Sequence, residues 1–195
     1  MRINEIFYSL QGEGYFTGTP SIFIRLSGCN LDCSFCDTQH TAYCEMSEEE
    51  VMEAIAAYPA QHVVITGGEP LLQLQPSFVT RLHRAGKYVQ IETNGTRSVA
   101  AFAADPIDWI TCSPKFDFCR HAELQLEILH ELKVVHCGQD LSVYDNITAE
   151  VYSLQPCDVG EPEHNAAIVN ATMDYILRHP KWRLSLQTHK MLNIR

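Results

Sequence analysis

An α/β fold on a mostly parallel sheet is predicted by three features of this sequence. Short β-rich runs recur along it, helical patterns fall between them, and several runs are apolar on consecutive positions, as strands covered on both faces are. Such alternation implies parallel strands joined by right-handed crossovers. The runs occupy 21–26, 62–66, 88–92, 108–112, 132–135, 151–154 and 183–186. Most are rich in β-branched or aromatic residues and are flanked by turn formers.

The helices between them carry their own start and stop signals. Ser47-Glu48-Glu49-Glu50 is a capping box, followed by Val51, Ile55 and Tyr58 near one face, and Pro59 ends the pattern. Pro76 opens a second helix at its first turn, with Phe78, Val79 and Leu82 as its apolar stripe and Gly86 as its stop. A third pattern runs through Val169, Met173 and Ile176 before Pro180. No repeat, low-complexity tract or Gly/Ser linker divides the 195 residues, so one domain over 1–195 is expected.

Composition narrows the function classes. With 46% hydrophobic and 19% charged residues the chain is globular, and no apolar stretch approaches the roughly 20 residues of a bilayer span. No membrane partner is expected, and residues 1–5 begin no export signal, so a cytoplasmic location is expected. A formal charge of -10 opposes diffuse attraction to phosphate backbones, so no nucleic-acid partner is expected. An anionic ligand would have to be held by individual Arg and Lys residues.

In a parallel sheet, ligands collect beyond the carboxyl ends of the strands. The residues there are Ser27-Gly28-Cys29, Gly67-Gly68-Glu69-Pro70, Thr93-Asn94-Gly95, Ser113-Pro114-Lys115, Gln155-Pro156-Cys157-Asp158 and Gln187-Thr188-His189-Lys190. The strongest signal follows the first of these. Cys29, Cys33 and Cys36 place three thiols in eight residues with C-x3-C-x2-C spacing. Three soft thiolates on one tight loop suit three corners of a cubane iron-sulfur cluster, with the fourth iron open to a small chelating molecule. A structural zinc site completed by His40 or Cys44 is the alternative. Cys44, Cys112, Cys119, Cys137 and Cys157 are scattered, and buried free thiols are ordinary core residues.

The cysteine loop together with Gly67-Gly68-Glu69-Pro70 resembles the radical S-adenosylmethionine enzymes. The resemblance narrows to the 7-carboxy-7-deazaguanine synthase family and runs nearly end to end. It rests on Leu10-Gln11-Gly12-Glu13-Gly14, Arg25, Cys36-Asp37-Thr38, Thr66 to Pro70, Ile91-Glu92-Thr93-Asn94-Gly95, Ser113-Pro114-Lys115, Gln155-Pro156 and 187–194. Taken singly, most of these are turns, caps or strand-edge charges. Their joint order carries the resemblance.

What the resemblance implies is specific. Cys29, Cys33 and Cys36 would hold a 4Fe-4S cluster, with Phe35 the aromatic before the last ligand. Phe35, Cys36, Asp37, Gly68, Ser113, Pro114, Lys115, Gln155, Pro156, Cys157 and Asp158 would contact S-adenosylmethionine, although Met often stands in the family where Cys157 does here. Leu10, Gln11, Gly12, Arg25, Thr66 and the terminal Arg195 would line the substrate site, and Thr38 would offer its hydroxyl to Mg2+. The implied fold is an incomplete (βα) barrel with a parallel sheet of about six strands. The implied reaction turns 6-carboxy-5,6,7,8-tetrahydropterin into 7-carboxy-7-deazaguanine with release of ammonia. An electron donor such as a flavodoxin or ferredoxin, and a homodimer, are expected from the family. Two other readings share the cysteine loop: an activating enzyme that places a glycyl radical on a partner protein, and a noncatalytic metal or electron carrier.

Overall fold

The computed structural model describes residues 1–33, 36, 42–119 and 122–195. Among these residues a hairpin opens a nine-stranded sheet: β1 (Arg2–Leu10) pairs antiparallel with β2 (Pro20–Leu26), and the two-residue β3 (Cys44–Glu45) lies on the outer edge of β1. From β2 onward the sheet is parallel through β4 (His62–Gly67), β5 (Tyr88–Thr93), β6 (Trp109–Cys112), β7 (Glu131–His136), β8 (Val151–Pro156) and β9 (Trp182–Leu184), in chain order. These seven parallel strands are the seven runs read from the sequence, one more than the expected core of about six.

β1 was not among those runs. Asn4 and Glu5 interrupt its apolar pattern, and a register shift between Ile3 and Glu5 breaks the alternation that would mark a strand. β3 and β9 form the two free edges of the sheet, so the barrel is incomplete.

Strand parity separates two layers. Ile22, Ile24, Val63, Ile65, Val89, Ile91, Leu132, Val134 and Leu154 pack outward against Val51 and Ile55 of α1 (Glu48–Ala56) and Phe78, Val79 and Leu82 of α2 (Pro76–Arg84). Each such side chain contributes roughly 1.5–3 kcal/mol when removed from water. That outer layer stabilises the fold and leaves the alternate positions free to be polar. By register the inward row contains Arg25 and Thr66, Gln90 and Glu92, Thr111, Glu131 and Lys133, then Ser153 and Gln155.

The helix starts follow their sequence signals. The Ser47 hydroxyl accepts from Glu50 N at 3.2 Å while the Glu50 carboxylate accepts from Ser47 N at 2.7 Å, closing the capping box. In α3 (Pro162–Arg178) the buried face is Ile168 and Thr172 rather than Val169 and Met173. Buried His136 explains the offset, because its Nδ1 needs a polar partner and meets Thr172 Oγ1 at 2.8 Å.

The loop 11–19 folds into the amino-terminal end of the barrel as a floor. Phe16 packs edge-on against His62 and Trp109, Tyr15 stacks on Trp109, and Tyr15 N and Gly14 N donate to Glu131 and Ser185. This placement turns Gln11 and Glu13 toward the opposite, open end.

Outside the barrel, His83 near the end of α2 bridges Asp105 and Asp108 at 2.7 and 2.9 Å. Partial burial disfavours the imidazolium, but the two carboxylates outweigh it and raise the His83 pKa above the ordinary 6.5. Stability from this pair is therefore full below the unfolded-state pKa and lost as pH rises through the higher folded-state value. The melting-temperature gap between the protein and His83→Gln should be widest below the ordinary value of 6.5 and close as pH rises above it, reflecting at most about 1 kcal/mol. A gap that ignores pH in thermal unfolding would show that His83 is neutral.

Candidate active site

The carboxyl ends of the parallel strands open into a cleft of 380 Å³, within the range of about 300–1,000 Å³ typical of small-molecule sites. One wall is basic and aromatic. Phe7 and Phe23 stack face to face at 4.7 Å, and Arg25 lies over Phe7, with Nε donating to Glu5 at 2.9 Å. Arg195 reaches the same corner, where Ser9 Oγ donates to its backbone oxygen at 2.6 Å.

The base of the cleft is a buried charge network. Lys133 Nζ donates to Glu13 at 2.7 Å and to Glu92 at 2.9 Å, with only 5% of its side chain exposed. Gln11 Nε2 donates to the second oxygen of Glu92, and Gln187 Nε2 to the second oxygen of Glu13. Burial alone would raise the Glu13 pKa, but Lys133 and Gln187 override it and hold the carboxyl at about 2. Burial likewise works against the Lys133 ammonium, and the charges of Glu13 and Glu92 reverse that and raise its pKa. Both carboxylates thus present fixed acceptors to whatever fills the cleft.

Cys29, Cys33 and Cys36 line the opposite part of the cleft. Leu31 N and Asn94 Nδ2 approach Cys29 Sγ at 3.4 and 3.8 Å, contacts that stabilise a thiolate ligand. The turn Gly67-Gly68-Glu69-Pro70 braces this loop. Glu69 N donates to Gly28 O at 3.0 Å, and the wholly buried Glu69 carboxylate accepts from Leu71 N, Thr93 Oγ1 and Asn94 N. Glu69 therefore fastens the ends of β4 and β5 together, while Gly67 and Gly68 face the cleft. Nearby, Lys115 Nζ bonds Ser113 O and Oγ, both at 2.6 Å, and burial lowers its pKa.

The carboxyl-terminal segment crosses the open side. Thr188 N and Oγ1 both donate to Gly12 O, and His189 packs so closely that a Cβ on Gly12 would stand 2.3 Å from its Nδ1. Helix α4 (Thr188–Leu192) follows, and Lys190 pairs with Asp158 at 2.8 Å.

The cleft thus gathers Leu10, Gln11, Gly12, Arg25, Thr66 and Arg195 with Gly68, Ser113, Lys115, Gln155, Pro156, Cys157, Asp158 and the three loop cysteines. Pro114 is not among its lining residues. Phe35, Asp37 and Thr38 lie outside the described residues, as does His40. Cys44 is exposed on edge strand β3 and does not line the cleft, so the geometry gives no support to a zinc site completed by it. Sequence reasoning assigned no role to Phe7, Glu13, Phe23, Glu92 or Lys133. The charge at Lys133, inside the apolar run 132–135, was the available signal.

Residues 23–117 match the family model described as the radical SAM superfamily. Over 194 residues the chain is 54% identical to the 7-carboxy-7-deazaguanine synthase of Bacteroides thetaiotaomicron, covering all of this chain and 98% of that one. The 7-carboxy-7-deazaguanine synthase of Escherichia coli K12 is 37% identical over 227 residues, with 98% of each chain covered. Among solved structures, QueE from Escherichia coli superposes with a TM-score of 0.78 at 31% identity, covering 95% of this chain and 92% of that one.

Proposed function

This chain belongs to the 7-carboxy-7-deazaguanine synthase family of the radical SAM superfamily, and from that premise we infer that it converts 6-carboxy-5,6,7,8-tetrahydropterin to 7-carboxy-7-deazaguanine with release of ammonia. The observation carrying this reading is the cleft itself, which joins a three-thiol loop to a polar small-molecule pocket at the strand ends. The donor set fits a 4Fe-4S cluster: three soft thiolates, one already facing N–H donors. Bound there with S-adenosylmethionine, the cluster would supply the electron that starts hydrogen abstraction from the substrate.

The chain's own residues bind, orient and exclude water. Gly68, Ser113, Lys115, Gln155, Pro156, Cys157 and Asp158 are proposed to hold S-adenosylmethionine, with Phe35, Asp37 and Pro114 assigned by family resemblance. Leu10, Gln11, Gly12, Arg25, Thr66 and Arg195 are proposed to hold the substrate. Glu13 and Glu92 suit the N–H edge of a pterin, since an ionised carboxylate only accepts hydrogen bonds. Arg25 and Arg195 suit the substrate carboxylate, and the Phe7–Phe23 pair gives an apolar surface beside it. Thr38 is proposed as a Mg2+ ligand. A single radical SAM domain over 1–195, a cytoplasmic location, a flavodoxin- or ferredoxin-type reductant and a homodimer complete the proposal. Among the described residues no helix is long and apolar enough to cross a membrane.

Arg25→Lys should raise the substrate KM by roughly tenfold or more, because a point charge cannot reproduce the planar fork, while iron content stays unchanged. Loss of iron in that variant would contradict a substrate role. The function itself is tested by incubating anaerobically reconstituted protein with the tetrahydropterin, dithionite and S-adenosylmethionine. Mass spectrometry should find the deazaguanine acid, and its absence from iron-loaded protein would refute the assignment.

A further inference from the structure

Cys119 belongs to none of the motifs above, yet its sulfur lies 3.6 Å from that of Cys33. We propose that Cys33 and Cys119 are a redox-sensitive thiol pair. In cluster-free protein, peroxide joins them in a disulfide that withdraws one of the three cluster ligands until a thiol reductant releases it. The proposal rests on the reading of Cys33 as a cluster ligand.

The geometry is close to what the bond needs. A disulfide requires about 2.05 Å between sulfurs, so closure demands an approach of roughly 1.5 Å. Cys119 is held on a helical turn, where Phe118 N and Cys119 N both donate to Lys115 O at 3.0 and 2.9 Å. Cys33 lies in the loop beyond β2, outside any helix or strand, and that side supplies the movement. Both thiols are partly exposed, so a small oxidant reaches them.

The chemistry balances with hydrogen peroxide as the oxidant. One sulfur gives up its proton and attacks the O–O bond to form a sulfenic acid, and that proton joins the departing hydroxide as water. The second sulfur then displaces the sulfenic oxygen as another water. Two thiols lose two electrons and two protons in all, and one peroxide becomes two waters. With Cys33 tied up, Cys29 and Cys36 are too few to hold a cubane that needs three protein corners. The bond also keeps Cys33 below the sulfinic level, from which thiols do not recover it. An iron-bound Cys33 has no free thiol to pair, so the device acts on the unloaded protein alone.

The test uses the full chain prepared without its cluster under argon, treated briefly with peroxide and digested without reduction. Mass spectrometry should find a peptide joining Cys33 to Cys119. Iron uptake on reconstitution should fall roughly tenfold and return after dithiothreitol. Cys119→Ser should take up iron normally when untreated, but should recover less than the parent after peroxide and dithiothreitol. No such cross-link, or Cys33 joined to Cys29 or Cys36, would overturn the proposal. So would failure of untreated Cys119→Ser to take up iron, which would make Cys119 a ligand. The cross-link is read on the unaltered chain, whatever the variant does. Iron uptake by untreated wild-type protein separately tests the cluster assignment.

Discussion

Lys133→Met is expected to destabilise the protein by roughly 3–5 kcal/mol and to abolish turnover in whatever fraction still folds. The ammonium is the one cation bonded to both Glu13 and Glu92 among the described residues. Methionine fills similar volume on β7 between Leu132 and Val134, so the loss is of charge and hydrogen bonds rather than of packing. Two carboxylates then face each other without their cation, and for Glu13 burial disfavours the charge that remains. The pH dependence follows from the sign of the Glu13 shift, from 4.5 down to about 2. In the parent, Glu13 contributes stability that is full above pH 4.5 and is lost as pH falls toward 2. In the variant, acid neutralises the unpaired carboxylates, so the gap between the two proteins should narrow over that window. Adding Glu13→Gln to Lys133→Met should recover part of the loss, because one uncompensated charge is removed. Urea unfolding at neutral and acid pH measures both effects, and equal stability of parent and single variant would remove the network from the account.

Gly68→Ala is expected to lower activity by roughly a hundredfold or more and to reduce iron content. A Cβ at Gly68 would sit 2.0 Å from Gly28 O and 2.9 Å from Cys29 N. Both neighbours are backbone, so no flexible side chain can give way. The strand end must move, and the first cysteine of the loop moves with it. The neighbouring Gly67 has φ +129°, a conformation open to glycine and resisted by side chains, so the turn is built on two glycines. Iron per protein and turnover should fall together, and full iron with full activity would show that the loop is not braced by this turn.

The parallel strands were legible because their short β-rich runs alternate with helical patterns, although their inward faces proved polar rather than covered, and the capping box of α1 was legible because its pattern is local. β1 was hidden by Asn4, Glu5 and its register shift. The face of α3 was misplaced by one residue because Thr172 is buried for His136, a partner 36 residues away that no helical period announces. In the site, motif residues came forward through resemblance, but Lys133 became meaningful only when strand parity turned it inward against Glu13 and Glu92. Glu69 carries the opposite lesson. It sits inside a ligand-binding motif, yet its carboxylate is spent on Leu71, Thr93 and Asn94. The Cys33–Cys119 contact spans 86 residues and follows from the path of the chain, not from spacing.

The central claim is that three cysteines hold a cluster and leave one iron for S-adenosylmethionine. It is tested most directly by electron paramagnetic resonance of the anaerobically reconstituted, dithionite-reduced protein before and after S-adenosylmethionine is added. A 4Fe-4S signal that changes shape on addition is the expected result. A signal that S-adenosylmethionine leaves untouched, or zinc in place of iron, would contradict it.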